Sequence, residues 1–260
     1  MKKWLIVSLI SVSCINVVFS EETQEKGLLI AQEVERRDQG WVDARISMSM
    51  VLQNQHGDKS TRDIRIKILE VNGDGDKSLT VFDSPRDVRG TSFLSYSHIV
   101  KPDDQWLYMP ALKRVKRISS AYKSGPFMGS QFAYEDLASF EVDKYEYRYL
   151  RDEILDGIES FVVENHPNYQ HSGYSRQLVW IDKQRYIPLK VEYYDRKNEL
   201  LKILKLKGYR QYLDKYWRAH EQVMENQQNG KLTTLILKDN QFRNGFSEQD
   251  FQRNSLKRAK

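Results

Sequence analysis

From Ala44 to Gln53 apolar and polar positions alternate, with Ala44, Ile46, Met48, Met50 and Leu52 on one side and Arg45, Ser47, Ser49, Val51 and Gln53 on the other. A period of two held over that length predicts a strand with one buried face. His56-Gly57-Asp58 turns the chain, and Ile64, Ile66 and Ile68 repeat the pattern against Arg65 and Lys67. The run from Asn72 to Asp76 turns it again into Leu79, Val81 and Phe82. More strands are predicted over 92–97, 105–109, 112–118, 145–149, 158–164, 176–182, 187–194, 200–212, 217–226 and 231–239. Turn material such as Asp195-Arg196-Lys197-Asn198 and Asn229-Gly230 separates them. Ahead of the strands, Glu25 to Asp38 has a helical period, with Ile30, Ala31 and Val34 on its dry side and Gly40 ending it. The alternation stops between Ser119 and Phe140, where Gly125, Pro126 and Gly129 punctuate a stretch that also carries Phe127, Met128, Phe132 and Tyr134. A loop of that length inside a domain is usually functional or partly helical. Near the end, Ser247 with Asp250 and Phe246 with Phe251 predict a short helix with a capping box and a hydrophobic staple.

The expected fold is therefore mainly β: an N-terminal helix, about eleven strands, an interrupting loop and a C-terminal helix. Short turns make the sheet antiparallel, and a sheet that wide must curl. Its inside would receive Met48, Met50 and their neighbours. A packed core and an open cavity both fit that pattern.

Charge and cysteine usage bear on compartment. Lys2 and Lys3 precede an apolar run from Trp4 to Phe19, which ends in Val18-Phe19-Ser20 before Glu21 and Glu22. This is the pattern of a cleavable export signal over residues 1–20, with the remaining domain over 21–260. The single cysteine, Cys14, lies within that run. Ser11-Val12-Ser13 lacks the aliphatic residue expected ahead of a lipid-modified cysteine, so a lipid anchor is disfavoured. Loss of Lys2 and Lys3 takes the formal charge from +5 to +3, a balance that does not argue for nucleic acid. About 240 residues without a Pro/Gly/Ser-rich linker suit one domain.

Tests for chemistry select nothing catalytic. The histidines, His56, His98, His166, His171 and His220, form no ligand pair at helical spacing, and no thiol would remain to help, so no metal is expected. Asn72-x-Asp74-x-Asp76 resembles the start of a calcium loop, but Lys77 stands where that loop needs glycine, and a tight turn explains the same residues. No nucleophile elbow, P-loop or dinucleotide fingerprint is present, and no cofactor is implied. Lys113, Arg114, Lys116 and Arg117 bracket Val115 just before the long loop. Two readings stay open for them: a rim that meets anionic headgroups or an acidic partner, and a solvated edge strand loaded with charge against aggregation.

Asp104-Gln105-Trp106-Leu107-Tyr108-Met109-Pro110, then Leu112-Lys113-Arg114-Val115 and Ser124-Gly125-Pro126-Phe127-Met128-Gly129-Ser130, resemble the LolA-like outer-membrane lipoprotein-sorting family. The similarity is to its periplasmic, exporter-associated branch. Val81-Phe82-Asp83-Ser84-Pro85, and Trp180-Ile181-Asp182 leading to Pro188-Leu189-Lys190, match as well. The resemblance implies a half-closed antiparallel barrel whose apolar cavity carries lipid or lipoprotein acyl chains through the periplasm. Ile46, Met48, Met50, Ile64, Ile66, Val81, Phe93, Trp106 and Tyr108 are then the cavity candidates. Phe127, Met128 and Phe132 are the lid candidates, with Lys113, Arg114, Lys116 and Arg117 as a rim. No counterpart is evident for the basic residue that holds the lid shut in such carriers. The resemblance also implies a resistance-nodulation-division exporter or an outer-membrane acceptor as partner, with peripheral rather than integral membrane contact. A sensor on the same fold, binding lipid and signalling through a membrane partner, is the alternative. Physics gives the carrier a reason: exposing a sixteen-carbon chain to water costs on the order of 10 kcal/mol.

Overall fold

The computed structural model describes the backbone of residues 13–258 and the side chains of residues 21–258. Residues 1–12 of the expected export signal lie outside the described residues. Helix α1, Ser13–Arg37, runs through residues 13–20 and ends before Gly40, whose φ of +99° suits glycine.

Fifteen strands follow among the described residues. The first half comprises β1 (Asp43–Gln53), β2 (Lys59–Leu69), β3 (Lys77–Ser84), β4 (Ser92–Tyr96), β5 (Asp104–Met109) and β6 (Arg114–Ile118). After the long segment come β7 (Tyr145–Leu155), β8 (Ile158–Pro167), β9 (Tyr174–Asp182), β10 (Pro188–Asp195) and β11 (Leu200–Lys207). The short strands β12 (Arg210–Tyr212) and β13 (Tyr216–Arg218) precede β14 (Glu221–Asn226) and β15 (Leu232–Phe242). Thirteen of them form one antiparallel sheet in the order β6-β5-β4-β3-β2-β1-β15-β14-β11-β10-β9-β8-β7. The expected half-closed barrel needs correcting here. Strands β6 and β7 are free edges and the sheet is not closed. It is nonetheless curled, because one buried cluster joins inward side chains from both halves, among them Met50, Phe93, Leu107, Tyr147, Val179 and Leu204.

Strands β12 and β13 pair only with each other. The alternation predicts unbroken strands over 200–212 and 217–226. Gly208, at φ +62°, instead diverts the chain into a hairpin whose Tyr216 packs with Trp41 and Phe242. At the β7 edge, α1 comes in close at Gly27, where a Cβ would stand 2.8 Å from the backbone nitrogen of Tyr149. The other edge, β6, starts at Arg114 rather than Leu112, because Pro110–Leu112 forms a 3-10 turn and Lys113 takes a left-handed φ of 50°.

The sheet is buried on its second face too. Leu79, Val81, Leu94 and Trp106 form an outer cluster with Phe251 and Leu256 of the C-terminal tail. Ser247 and Asp250 make the expected capping box, although over a 3-10 turn, Glu248–Phe251, followed by the one-turn helix α2, Ser255–Arg258. The tail is tied down by Asp43, whose buried carboxylate accepts bonds from Asn244, Gly245 and Phe246 backbone N–H groups at 2.7, 2.9 and 3.3 Å. Ser92 Oγ donates to the Leu256 carbonyl at 2.7 Å. Phe251 is completely buried, so Phe251→Ala should lower unfolding free energy by about 3–5 kcal/mol in a urea titration. A change below about 1 kcal/mol would mean that the tail is not part of the folded unit.

Candidate functional site

The segment between the two sheet edges, residues 119–144, folds back across the concave face. It contains 3-10 turns at Ser120–Tyr122, Phe127–Gly129, Tyr134–Leu137 and Val142–Lys144. Phe127 is 1% exposed, with its ring centroid 5.8 Å from Phe82, 5.2 Å from Phe93 and 5.5 Å from Tyr134. Phe132 is buried in the same cluster and Met128 packs at its border. The three lid candidates therefore come together as a cover over the concave face.

Two basic side chains hold that cover, although none is evident from sequence. Arg62 on β2 donates to the Met128 carbonyl. Lys202 on β11 donates to the Gln131 carbonyl at 3.0 Å and to Asp136 Oδ2 at 2.6 Å. The Lys202 and Asp136 side chains are only 4% and 5% exposed. Buried charges are tolerated where their remaining hydrogen-bonding capacity is met. Here Asp136 also accepts from the Ala133 N–H at 2.6 Å and from the Tyr174 hydroxyl at 2.7 Å. Further along, Gln105 Nε2 donates to the Tyr134 carbonyl at 2.9 Å, and Lys144 pairs with Asp103 at 2.6 Å.

A cavity of about 1300 Å³ opens beside the cover, between α1, residues 135–147, strands β8 to β11 and the β12–β13 hairpin. It exceeds the ~300–1,000 Å³ typical of a small-molecule pocket. Apolar side chains such as Val34, Ile46, Val163, Val179 and Val191 line it together with Tyr145, Tyr147, Tyr174 and Tyr193. Burial pushes the Tyr145 hydroxyl up to about 12 and raises Tyr147, Tyr174 and Tyr193 as well, so all four stay neutral at physiological pH.

The sequence-predicted cavity residues divide into three groups. Ile46 lines the open space. Met48, Met50, Ile64 and Phe93 do point to the concave side, but they lie in the buried cluster beneath Phe127 and Phe132, and Ile66 packs against it. Val81, Trp106 and Tyr108 face the other way, toward Phe246, Phe251 and Leu256. Lys113, Arg114, Lys116 and Arg117 are exposed on or beside edge strand β6 and do not line the cavity. Arg117 pairs with Asp104. Lys123, next in that basic run, is instead buried with its ammonium 3.7 Å from the Tyr169 ring centroid. Sequence reasoning missed Lys202, Asp136, Asn165 and Gln177, polar residues at inward or cover positions.

One wall of the mouth is acidic. Asp74 of the former calcium-loop candidate bonds His98 Nδ1 at 2.7 Å, and hydrogen bonds from His98 and backbone N–H groups outweigh its burial to hold it at about 2. Burial pushes Asp76 up to about 7, helped by neighbouring Glu141, Glu70 and Asp38. Burial also raises Glu141, Glu135 and Asp38, against Lys144, Lys123 and Arg218 respectively.

A domain from Vibrio parahaemolyticus described as outer-membrane lipoprotein-sorting is 58% identical, superposes with a TM-score of 0.89, and aligns over 90% of this chain and 99% of its own. The chain belongs to the LolA-like lipoprotein-sorting family. A DUF1329 family protein from Desulfovibrio piger is 28% identical with a TM-score of 0.86, again over 90% of this chain and 99% of that one. A LolA superfamily protein from Nitrosomonas europaea, at 19% identity and a TM-score of 0.71 over the same shares, has a similar fold. A family model described only as an uncharacterised protein matches residues 74–258. No curated protein matches.

The raised carboxyl has a measurable consequence. Native Asp76 keeps its proton where the unfolded chain has lost it, so its contribution to stability is complete below its ordinary 3.8 and is lost as pH rises through about 7. Carboxylates held near 2, such as Asp74, act below that window. The unfolding midpoint should fall as pH rises from about 4 to about 7, and Asp76→Asn should flatten the fall. Equal slopes in the two proteins would show that Asp76 is ionised across this range.

Proposed function

We propose that this LolA-like protein is a periplasmic carrier, which shelters the acyl chains of a lipid or lipoprotein in the 1300 Å³ cavity and hands them between envelope components. The observation that carries the reading is the pairing of that cavity with a cover fixed by polar latches rather than by apolar packing alone. Apolar packing gives a cover area to bury. A latch of one ammonium and one carboxylate gives it two discrete states, since the pair is costly to separate and costly to leave half made. Segment 119–144 opens by releasing Lys202 and Arg62, and the guest then enters the cavity beside it between strands β8 and β11.

The family supports this reading, because a relative 58% identical is described as an outer-membrane lipoprotein-sorting domain, and a lipoprotein's acyl chains need shelter from water. The basic run and apolar stretch before Glu21 support export, with the carrier starting at Glu21. Among the described residues no helix is long and apolar enough to cross a membrane. We extend the proposal to an acceptor in the outer membrane or an exporter of the resistance-nodulation-division type. Function here is binding and transfer, and no step needs a catalytic residue.

Lys202→Met and Arg62→Met test the latch. Each should speed proteolysis within Ser124–Ser130 several-fold and hasten release of a bound fluorescent fatty acid, with the folded far-UV spectrum kept. In the unaltered protein, palmitate should also change cleavage of that segment. Unchanged cleavage and release in both variants, with no response to palmitate, would contradict the carrier.

A further inference from the structure

Three large apolar side chains stand out of the surface around edge strand β6. Val100 is 95% exposed, Leu112 60% and Tyr122 72%. Leu112 ends the 3-10 turn just ahead of β6, and Tyr122 ends the turn Ser120–Tyr122 just after it. About 17 Å of strand separates the two ends of β6. Val100 lies in the loop between β4 and β5. Asp104 pairs with Tyr96 and Gln105 with Ile118, so that loop sits at the end of β5 where β6 gives way to Tyr122. The loop is anchored on both sides. The Ile99 N–H donates to Asp74 at 3.0 Å and His98 Nδ1 bonds the same carboxylate at 2.7 Å. The His98 N–H donates to Asp103 at 3.1 Å, and Asp103 is paired in turn with Lys144. Val100 is therefore presented as a fixed tip.

The surface between these tips is basic. Lys101 and Lys113 each follow an apolar tip, and Arg114 and Lys116 are exposed on β6. Among the described residues no carboxylate pairs with any of these four, whereas Arg117 is paired with Asp104. Ile118 packs in the inner cluster and Val115 against the outer one, so Arg114 and Lys116 project on the concave side of the edge.

Charge on an edge strand guards it against pairing with another sheet. That accounts for Arg114 and Lys116 but not for Val100, Leu112 and Tyr122, which a guard alone has no use for. A protein partner is fitted best by an apolar centre within a polar rim. Here the order is reversed, with separate apolar tips around a cationic middle. A fluid anionic bilayer accepts that arrangement. Its phosphates meet the cations, single projecting side chains enter between headgroups, and tyrosine suits the interfacial depth.

We propose that the β6 edge docks on an anionic phospholipid bilayer, with Val100, Leu112 and Tyr122 as shallow anchors and Lys101, Arg114 and Lys116 as headgroup contacts. The docked edge is also where the cover begins, since Tyr122 belongs to its first turn. The proposal concerns the outer surface and is independent of what the cavity holds.

Co-sedimentation of the full exported chain with vesicles tests it, comparing phosphatidylcholine alone with an equal mixture of phosphatidylcholine and phosphatidylglycerol. The chain should bind the anionic vesicles and leave the neutral ones, with added salt weakening the binding. Each cation near an anionic surface strengthens binding about fivefold, so Arg114→Gln combined with Lys116→Gln should weaken it roughly 25-fold. Val100→Ser and Tyr122→Ser should each weaken it on the order of tenfold, with the folded far-UV spectrum kept. Equal binding to both vesicles, or binding to neither, overturns the proposal. Full binding by both serine variants overturns it as well, because the contact would then be charge alone. If the chain ignores vesicles while photo-cross-linkers at positions 100 and 122 capture an envelope protein, the surface belongs to an acidic protein partner instead. Where a variant does not fold, the comparison of the two vesicles on the unaltered protein decides the proposal by itself.

Discussion

An open sheet curled around an apolar concave face cannot stay uncovered in water, and the rest of this structure answers that constraint. Thirteen strands with two free edges give an inner surface too wide to close on itself. The chain closes it from the middle of its own sequence, sending residues 119–144 from one edge to the other across the concavity. Packing of Phe127 and Phe132 supplies the hydrophobic part of that closure. The Lys202–Asp136 pair supplies the specific part, because its three surrounding hydrogen-bonding groups, the Gln131 carbonyl, the Ala133 N–H and the Tyr174 hydroxyl, are satisfied only when the cover sits in this one register.

Closure divides the concave face unevenly. The β1–β5 half is filled, with Met48, Met50, Ile64 and Phe93 in a packed core. The β8–β11 half keeps the open space, roofed by α1 and the β12–β13 hairpin. The two halves thus differ in packing: one anchors the cover, the other keeps the cavity. The coupling between them passes through the cover itself, whose Phe127 lies in the filled half and whose Glu135 and Asp136 border the open one.

Much of this architecture is legible in the sequence. The strict alternation of 44–52 and 64–68 gives strands β1 and β2 and the right inward face, and loss of alternation after Ser119 marks the cover. Three features escape for physical reasons. Val81, Trp106 and Tyr108 read as inward because they are apolar, yet β3 to β5 are buried on both faces, the outer one by Phe251 and Leu256 some 150 residues downstream. The hairpin at 210–218 continues a strand pattern, and only Gly208 hints that the chain leaves the sheet. Lys202, Asn165 and Gln177 look like solvent-side residues, and their inward placement depends on registers across four strands that no local window contains. A polar residue in phase with an inward apolar series, as Lys202 is with Leu204 and Leu206, is the signal that marks them.

The central claim is that the β8–β11 cavity holds an acyl guest under a polar-latched cover. Native mass spectrometry of the protein purified from its own envelope tests it most directly. The account predicts a folded chain beginning at Glu21 with one amphiphile bound non-covalently, freed on denaturation and bearing an acyl chain. A bare chain that also takes up no acylated lipid when lipids are added would contradict it.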